Sequence, residues 1–188
     1  MKILVLSHTR SGSTTLCKWL SKELNIELDD TPFDINVGFD SVFQKENIIR
    51  KILTESLPIL SNETINKFDK VIFLTRENSI DSAISFIVAD MRNWHVDYEI
   101  TSDWINDNKN EIFKEFNKYN MLKLKMEQYD GFHVTYEDIY INKKSINKIL
   151  DYFDINSPKY LDMLEYTKRY RKDGIIVSIR DIHTIKLI

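Results

Sequence analysis

The chain opens on an unbroken apolar run, Ile3-Leu4-Val5-Leu6, that turns polar at Ser7. A run this short, without polar alternation, predicts a strand buried on both faces. Ser7 to Ser13 is polar and contains Gly12, and from Thr14 onward Leu16, Trp19, Leu20 and Leu24 share one helical face. Strand, tight turn and helix are therefore expected in that order. Residues 26–40 read as irregular, with a second short strand near Ile26–Leu28 and a cluster of Asp29, Asp30, Asp34 and Asp40. A helix is expected from about Ser41 to Leu57, stopped by Pro58. Lys70–Thr75 is the clearest buried strand. It runs through Arg76-Glu77-Asn78 into a helix whose apolar side is Ile80, Ala83, Ile84, Ile87, Val88 and Met91.

Residues 104–129 predict one long amphipathic helix, with Trp104, Ile105, Ile112, Phe113, Phe116 and Leu122 inward. Gly131 restarts the chain into a strand, Phe132–Tyr136, and a helix over about 143–153 follows. Ser157-Pro158 has the chemistry of a helix start, serine as cap and proline in the first turn, and that helix should end near Gly174. Ile175–Ile188 alternates loosely and suits a last strand. Strands alternating with helices predict an α/β fold, a three-layer sandwich around a mainly parallel sheet. In such sheets ligands bind outside the carboxyl ends of the strands. No repeat, low-complexity stretch or linker interrupts the chain, so residues 1–188 are expected to form a single domain.

Composition narrows the function classes. With 188 residues the chain is long enough for a real core, and 43% hydrophobic with 29% charged residues is ordinary for a globular protein. A net charge of −3 gives no general affinity for nucleic acid or an anionic membrane, so any bound anion needs a local constellation. Cys17 is the single cysteine, which excludes an intramolecular disulfide and a cysteine-based zinc site. The N-terminal apolar run is too short for a signal-peptide core or a membrane span, and a reducing cytoplasm is the expected setting.

The segment Ser7-His8-Thr9-Arg10-Ser11-Gly12-Ser13-Thr14-Thr15 lies between a strand and a helix. Glycine lets backbone N–H groups approach an anion, the helix N-terminus adds a favourable dipole, and the hydroxyls of Ser11, Ser13, Thr14 and Thr15 add donors. Arg10 can hold two oxygens of one phosphate or sulfate. A Walker A loop would need GxxxxGK followed by Ser or Thr, and here no lysine follows the glycine. The plain alternative is a hydroxyl-rich turn that caps a helix.

Arg10-Ser11-Gly12-Ser13-Thr14 resembles the 5′-phosphosulfate loop of the sulfotransferases that use 3′-phosphoadenosine 5′-phosphosulfate (PAPS), in the Arg-Ser-Gly-Ser form of carbohydrate and bacterial members. Leu74-Thr75-Arg76-Glu77-Asn78, with Ser85 nine residues beyond Arg76, is similar to that family's 3′-phosphate site, an arginine at a strand end and a serine on the next helix. Val134-Thr135-Tyr136-Glu137-Asp138-Ile139 is similar to the family's Tyr-Glu-Asp-Leu segment and reads as mainly structural, and Trp94-His95 resembles a Trp-His pair of some bacterial members.

The resemblance implies a P-loop-NTPase-like sulfotransferase fold and PAPS as sulfuryl donor, with 3′-phosphoadenosine 5′-phosphate (PAP) as product. The acceptor it implies is a hydroxyl of a carbohydrate or small metabolite. Arg10 would bridge sulfate and 5′-phosphate, Ser11–Thr15 would hold the 5′-phosphate, and Arg76 with Ser85 the 3′-phosphate, with no metal required. Many members carry a Glu-Pro-Phe segment after the first helix whose glutamate is a candidate base. Here Thr31-Pro32-Phe33 departs from that pattern, and Asp30 and then His95 are the substitutes. The basic run Lys168 to Lys172, ending at Gly174, resembles a loop that covers the 3′-phosphate, which nominates Arg171 and Lys172. Aromatic Trp94, Tyr98 and Trp104 could stack on an acceptor ring or belong to the core. Two alternatives stand beside this one: a nucleotide kinase on a related P-loop scaffold, and a non-catalytic nucleotide-binding module.

Overall fold

The computed structural model describes residues 1–29, 45–53, 60–91 and 102–164. Asp30, Thr31-Pro32-Phe33, Trp94, His95, Tyr98, Arg171, Lys172 and the expected strand over Ile175–Ile188 lie outside the described residues. By its internal contacts the chain divides into two compact units, Met1–Glu77 with Leu124–Tyr166, and Asn78–Lys123 with Thr167–Ile188.

The first unit is built on a five-stranded sheet of β1 (Lys2–Ser7), β2 (Glu27–Asp29), β3 (Ile48–Leu53), β4 (Lys70–Thr75) and β5 (Phe132–Thr135), in the order β2-β3-β1-β4-β5. Every pairing is parallel. Parallel strands need both faces covered, and the apolar residues divide accordingly. Ile3, Val5, Ile49, Ile72, Leu74 and Val134 pack against Leu16, Cys17, Trp19 and Leu20 of α1 (Ser13–Leu24). On the other face Leu4, Leu6, Ile48, Ile52, Val71 and Phe73 pack with Ile65, from α2 (Asn62–Ile65), and Met126. Trp19 is fully buried, and each such side chain contributes about 1.5–3 kcal/mol by leaving water.

The strand order has one functional consequence. From β1 the chain runs to β2 and β3 on one side and then crosses to β4 on the other. The crevice of such a sheet opens where the order reverses, at the carboxyl ends of β1 and β4. The two polar segments singled out in the sequence follow those two strand ends.

The second unit contains α3 (Ser79–Met91), α4 (Ser102–Asp107) and most of α5 (Lys109–Met126). Its core is Ile80, Ala83, Ile84, Ile87, Trp104, Ile105, Ile112 and Tyr119, and the Ser79 hydroxyl donates to Asn120 Oδ1 at 2.9 Å. Trp104 belongs to this core. Among the described residues no helix is long and apolar enough to cross a membrane.

Three sequence expectations need correction. Within the helix expected from Ser41 to Leu57, residues Ile48–Leu53 are the strand β3, because the pattern Ile48-Ile49-Arg50-Lys51-Ile52-Leu53 imitates a helical stripe. All six residues are buried, and both charged side chains reach tertiary partners. Arg50 is paired with Asp29 on the neighbouring strand, and Lys51 donates to Thr14 Oγ1 at 3.0 Å. The single helix expected over 104–129 breaks at Asn108, whose amide and side chain both donate to Trp104 O. Phe113 in that segment is 44% exposed, not inward. Ser157-Pro158 does not begin a regular helix, and only the 3₁₀ turn Leu161–Leu164 follows among the described residues. The amides of Lys159 and Tyr160 donate to the Glu23 carboxylate, which pins the chain to α1.

Candidate anion-binding site

β1 delivers the chain at Ser7 into a loop that reverses sharply before α1. Arg10 and Gly12 both take left-handed backbone angles, φ 66° and φ 82°. Gly12 is the N-cap of α1 and supplies no side-chain capping bond. The first amides of a helix have no intrahelical partner, so this uncapped end presents donors and the positive end of the helix dipole. Ser11 has turned inward: its hydroxyl and its amide both donate to His8 O, at 2.7 and 3.3 Å. Ser11 and Ser13 are buried, whereas Thr14 and Thr15 are exposed on the first turn.

Glycine at position 12 is enforced by its surroundings. A Cβ there would lie 2.7 Å from Tyr140 Cε2 and 3.0 Å from Tyr136 Cδ2. Both tyrosines come from the segment after β5, where the π turn Glu137–Ile141 interrupts regular structure. A π turn adds a residue per turn and is frequent at functional sites. The Tyr140 hydroxyl donates to Gly12 O at 2.7 Å. Burial above all, with the Cys17 thiol and Tyr136 nearby, pushes the Tyr140 phenol far above its ordinary range, so it remains a proton donor.

The second constellation reaches the same loop. Arg76 leaves the carboxyl end of β4, its guanidinium stacks over the Tyr136 ring at 4.4 Å, and Nη1 donates to Arg10 O at 3.4 Å. Glu137 Oε1 stands 3.7 Å from Arg76 Nε while its Oε2 accepts from the Glu77 amide at 2.9 Å. Arg76 is 14% exposed and its carboxylate partner 13%, so the pair is largely withdrawn from water and the guanidinium is held in one orientation.

Lys51 stands beside the candidate loop, and the sequence did not disclose it. It sits in register with Val5 on β3, 6% exposed, and its ammonium reaches the hydroxyl of Thr14 at the start of α1. Once the run is recognised as a buried strand, a lysine inside it is the signal. The structure thus brings Arg10, the Gly12–Thr15 end of α1, Lys51 and Arg76 together around one loop. Tyr136, Glu137 and Tyr140, read as structural or not singled out, hold it from below. Ser85 is half-buried on α3 in the second unit. The Arg76 guanidinium and the Lys51 ammonium stand beside a helix end with no side-chain cap, in reach of the loop that carries Arg10, an arrangement suited to an anion.

No protein-family model and no curated protein matches the sequence. Among solved structures, a mouse sulfotransferase, SULT7A1, complexed with PAP superposes with a TM-score of 0.58 and 18% identity, over 86% of this chain and 60% of its own. The chain therefore spans 60% of that sulfotransferase's length. Shikimate kinases from Aquifex aeolicus and Bacteroides thetaiotaomicron superpose with TM-scores of 0.50 and 0.51 and identities of 15% and 16%. They cover 83% and 82% of this chain and 98% and 99% of theirs. At such identities the likeness speaks to fold: the chain has the P-loop-like α/β fold, with an all-parallel sheet, that a sulfotransferase and shikimate kinases share.

Proposed function

We propose that this chain is a sulfotransferase that uses PAPS and passes its sulfuryl group to a hydroxyl of a carbohydrate or small metabolite. One observation carries the proposal: the side chain of Arg76, from the second motif, donates to the backbone of Arg10, in the first, across 66 residues of sequence. Two short motifs in the right chain order are weak apart, and their meeting at the switch point of the sheet gives them a common purpose.

The residues fit such a donor. Its 5′ end suits the amides of Gly12–Thr15 with Arg10 and Lys51, and its 3′-phosphate suits Arg76, with Ser85 joined to it by sequence spacing. PAPS supplies the sulfuryl group, and the chain's own residues bind it, orient it and neutralise charge. Asp30 and His95 are the candidate bases for the acceptor hydroxyl, and Arg171 and Lys172 the candidate cover of the 3′-phosphate. Residues 1–188 acting as one domain in a reducing cytoplasm belong to the same proposal.

The kinase alternative rests on the shared fold, and the loop chemistry weighs against it. A P-loop kinase places a lysine directly after the loop glycine and uses the next hydroxyl for Mg²⁺. Here Ser13 occupies the lysine position, and the Thr14 hydroxyl accepts from Lys51. Calorimetry without and then with Mg²⁺ tests the choice, with PAP, AMP and ATP as ligands and Arg10→Ala and Arg76→Ala beside the wild type. Binding that needs the 3′-phosphate and weakens at least tenfold in Arg76→Ala supports the sulfotransferase. Preference for ATP with Mg²⁺ supports the kinase, and PAP binding without turnover over a broad acceptor panel supports the non-catalytic module.

A further inference from the structure

We infer that Tyr140 is a positioning residue for the anion loop, setting the orientation of the Gly12–Ser13 peptide so that the Ser13 amide faces the bound anion. The inference rests on the loop being an anion site, as proposed above, and assigns a residue that the motif resemblance does not contain.

Gly12 O has two donors. Leu16 N–H reaches it at 3.1 Å as the first bond of α1, and the Tyr140 hydroxyl at 2.7 Å. The peptide is trans, so its N–H points opposite to its C=O, away from both donors and out of the helix end. A peptide beside glycine, with Arg10 also left-handed two residues earlier, is the part of the loop with the widest choice of orientation. Tyr140 removes that choice. Its ring is 4% exposed, tilts against Tyr136 at 4.8 Å between centroids, and blocks the space above Gly12. The hydroxyl then fixes which way the carbonyl turns. Position 140 lies 128 residues from Gly12 in sequence and falls within the π turn Glu137–Ile141.

Tyr140→Phe keeps the ring and removes the lock. Calorimetry with pyrophosphate and with PAP should show both bound threefold to tenfold more weakly, the range expected for one neutral hydrogen bond. Amide spectra give the readout that a merely structural role leaves untouched. In the wild type the Ser13 amide should shift on saturation with pyrophosphate, and in Tyr140→Phe the unliganded Ser13 signal should split or broaden. Equal affinities in the two proteins overturn the inference, as does a lower Tm with unchanged pyrophosphate affinity. Should the variant fail to fold, a wild-type Ser13 amide unmoved by saturating pyrophosphate overturns it equally. Wild type that binds pyrophosphate but not PAP removes the sulfotransferase proposal and leaves Tyr140 to be decided on pyrophosphate. Wild type that binds neither removes both.

Discussion

Replacing Gly12 with alanine tests the loop at its most constrained point. The backbone there has φ 82°, where an L-residue costs about 1–2 kcal/mol over glycine. The new methyl would also lie 2.7 Å from Tyr140 Cε2 and 3.0 Å from Tyr136 Cδ2. The Tyr140 ring cannot swing aside cheaply, because it is buried and its hydroxyl is bonded to the carbonyl of the mutated residue itself. Overpacking of this kind costs about 1–3 kcal/mol. Together the two effects give about 2–5 kcal/mol, or about 4–20 °C in Tm for a chain of this size. Thermal unfolding followed by circular dichroism measures it. The double variant Gly12→Ala/Tyr140→Leu should recover the steric share and retain the backbone share. A Tm for Gly12→Ala within 1 °C of wild type would refute both the left-handed loop and the tyrosine lid above it.

Lys51→Met should keep the fold, since an apolar chain of similar length fills the same buried strand position. The same variant should bind PAP about 10–100-fold more weakly, the worth of one charge-assisted hydrogen bond, and unchanged affinity would take Lys51 out of the site. Gly131→Ala should destabilise by about 1–3 kcal/mol, because its Cβ would stand 2.5 Å from Cε2 of the fully buried Phe73; a neutral result in urea unfolding would contradict the packing at the start of β5. The folded state holds the Tyr140 phenol protonated beyond the pH at which an unfolded tyrosine ionises, near 10.0. Above that pH the unfolded chain binds fewer protons, so wild-type stability should fall as pH rises, and Tyr140→Phe should lose that part of the slope.

The elements that the sequence foretold are those whose signals are local. Ile3–Leu6 and Val71–Leu74 have no polar alternation, which fits only strands covered on both faces, and both are strands of the sheet. The turn at Gly12 was visible because glycine, hydroxyls and the onset of helical spacing stand next to one another. Arg76 was visible because it ends a strong strand. β3 was misread because Ile48, Ile49, Ile52 and Leu53 are spaced as well for a helix stripe as for a strand, and only the neighbours on the sheet decide between them. The split between α4 and α5 was missed because Asn108 looks like any polar helix residue until its side chain is seen on Trp104 O.

The sequence by itself determined β1, α1, β4 and β5, the glycine and hydroxyls that crowd the Ser7–Thr15 loop, and the arginine at the end of β4, because each depends on residues adjacent in the chain. Only the tertiary structure decided that Arg76 meets Arg10, that Lys51 reaches Thr14 from a buried strand, and that Tyr140 closes over Gly12. Those contacts join residues 66, 37 and 128 positions apart. Their partners are chosen by strand order and by which face of the sheet each side chain takes, and no local pattern of residues encodes that choice.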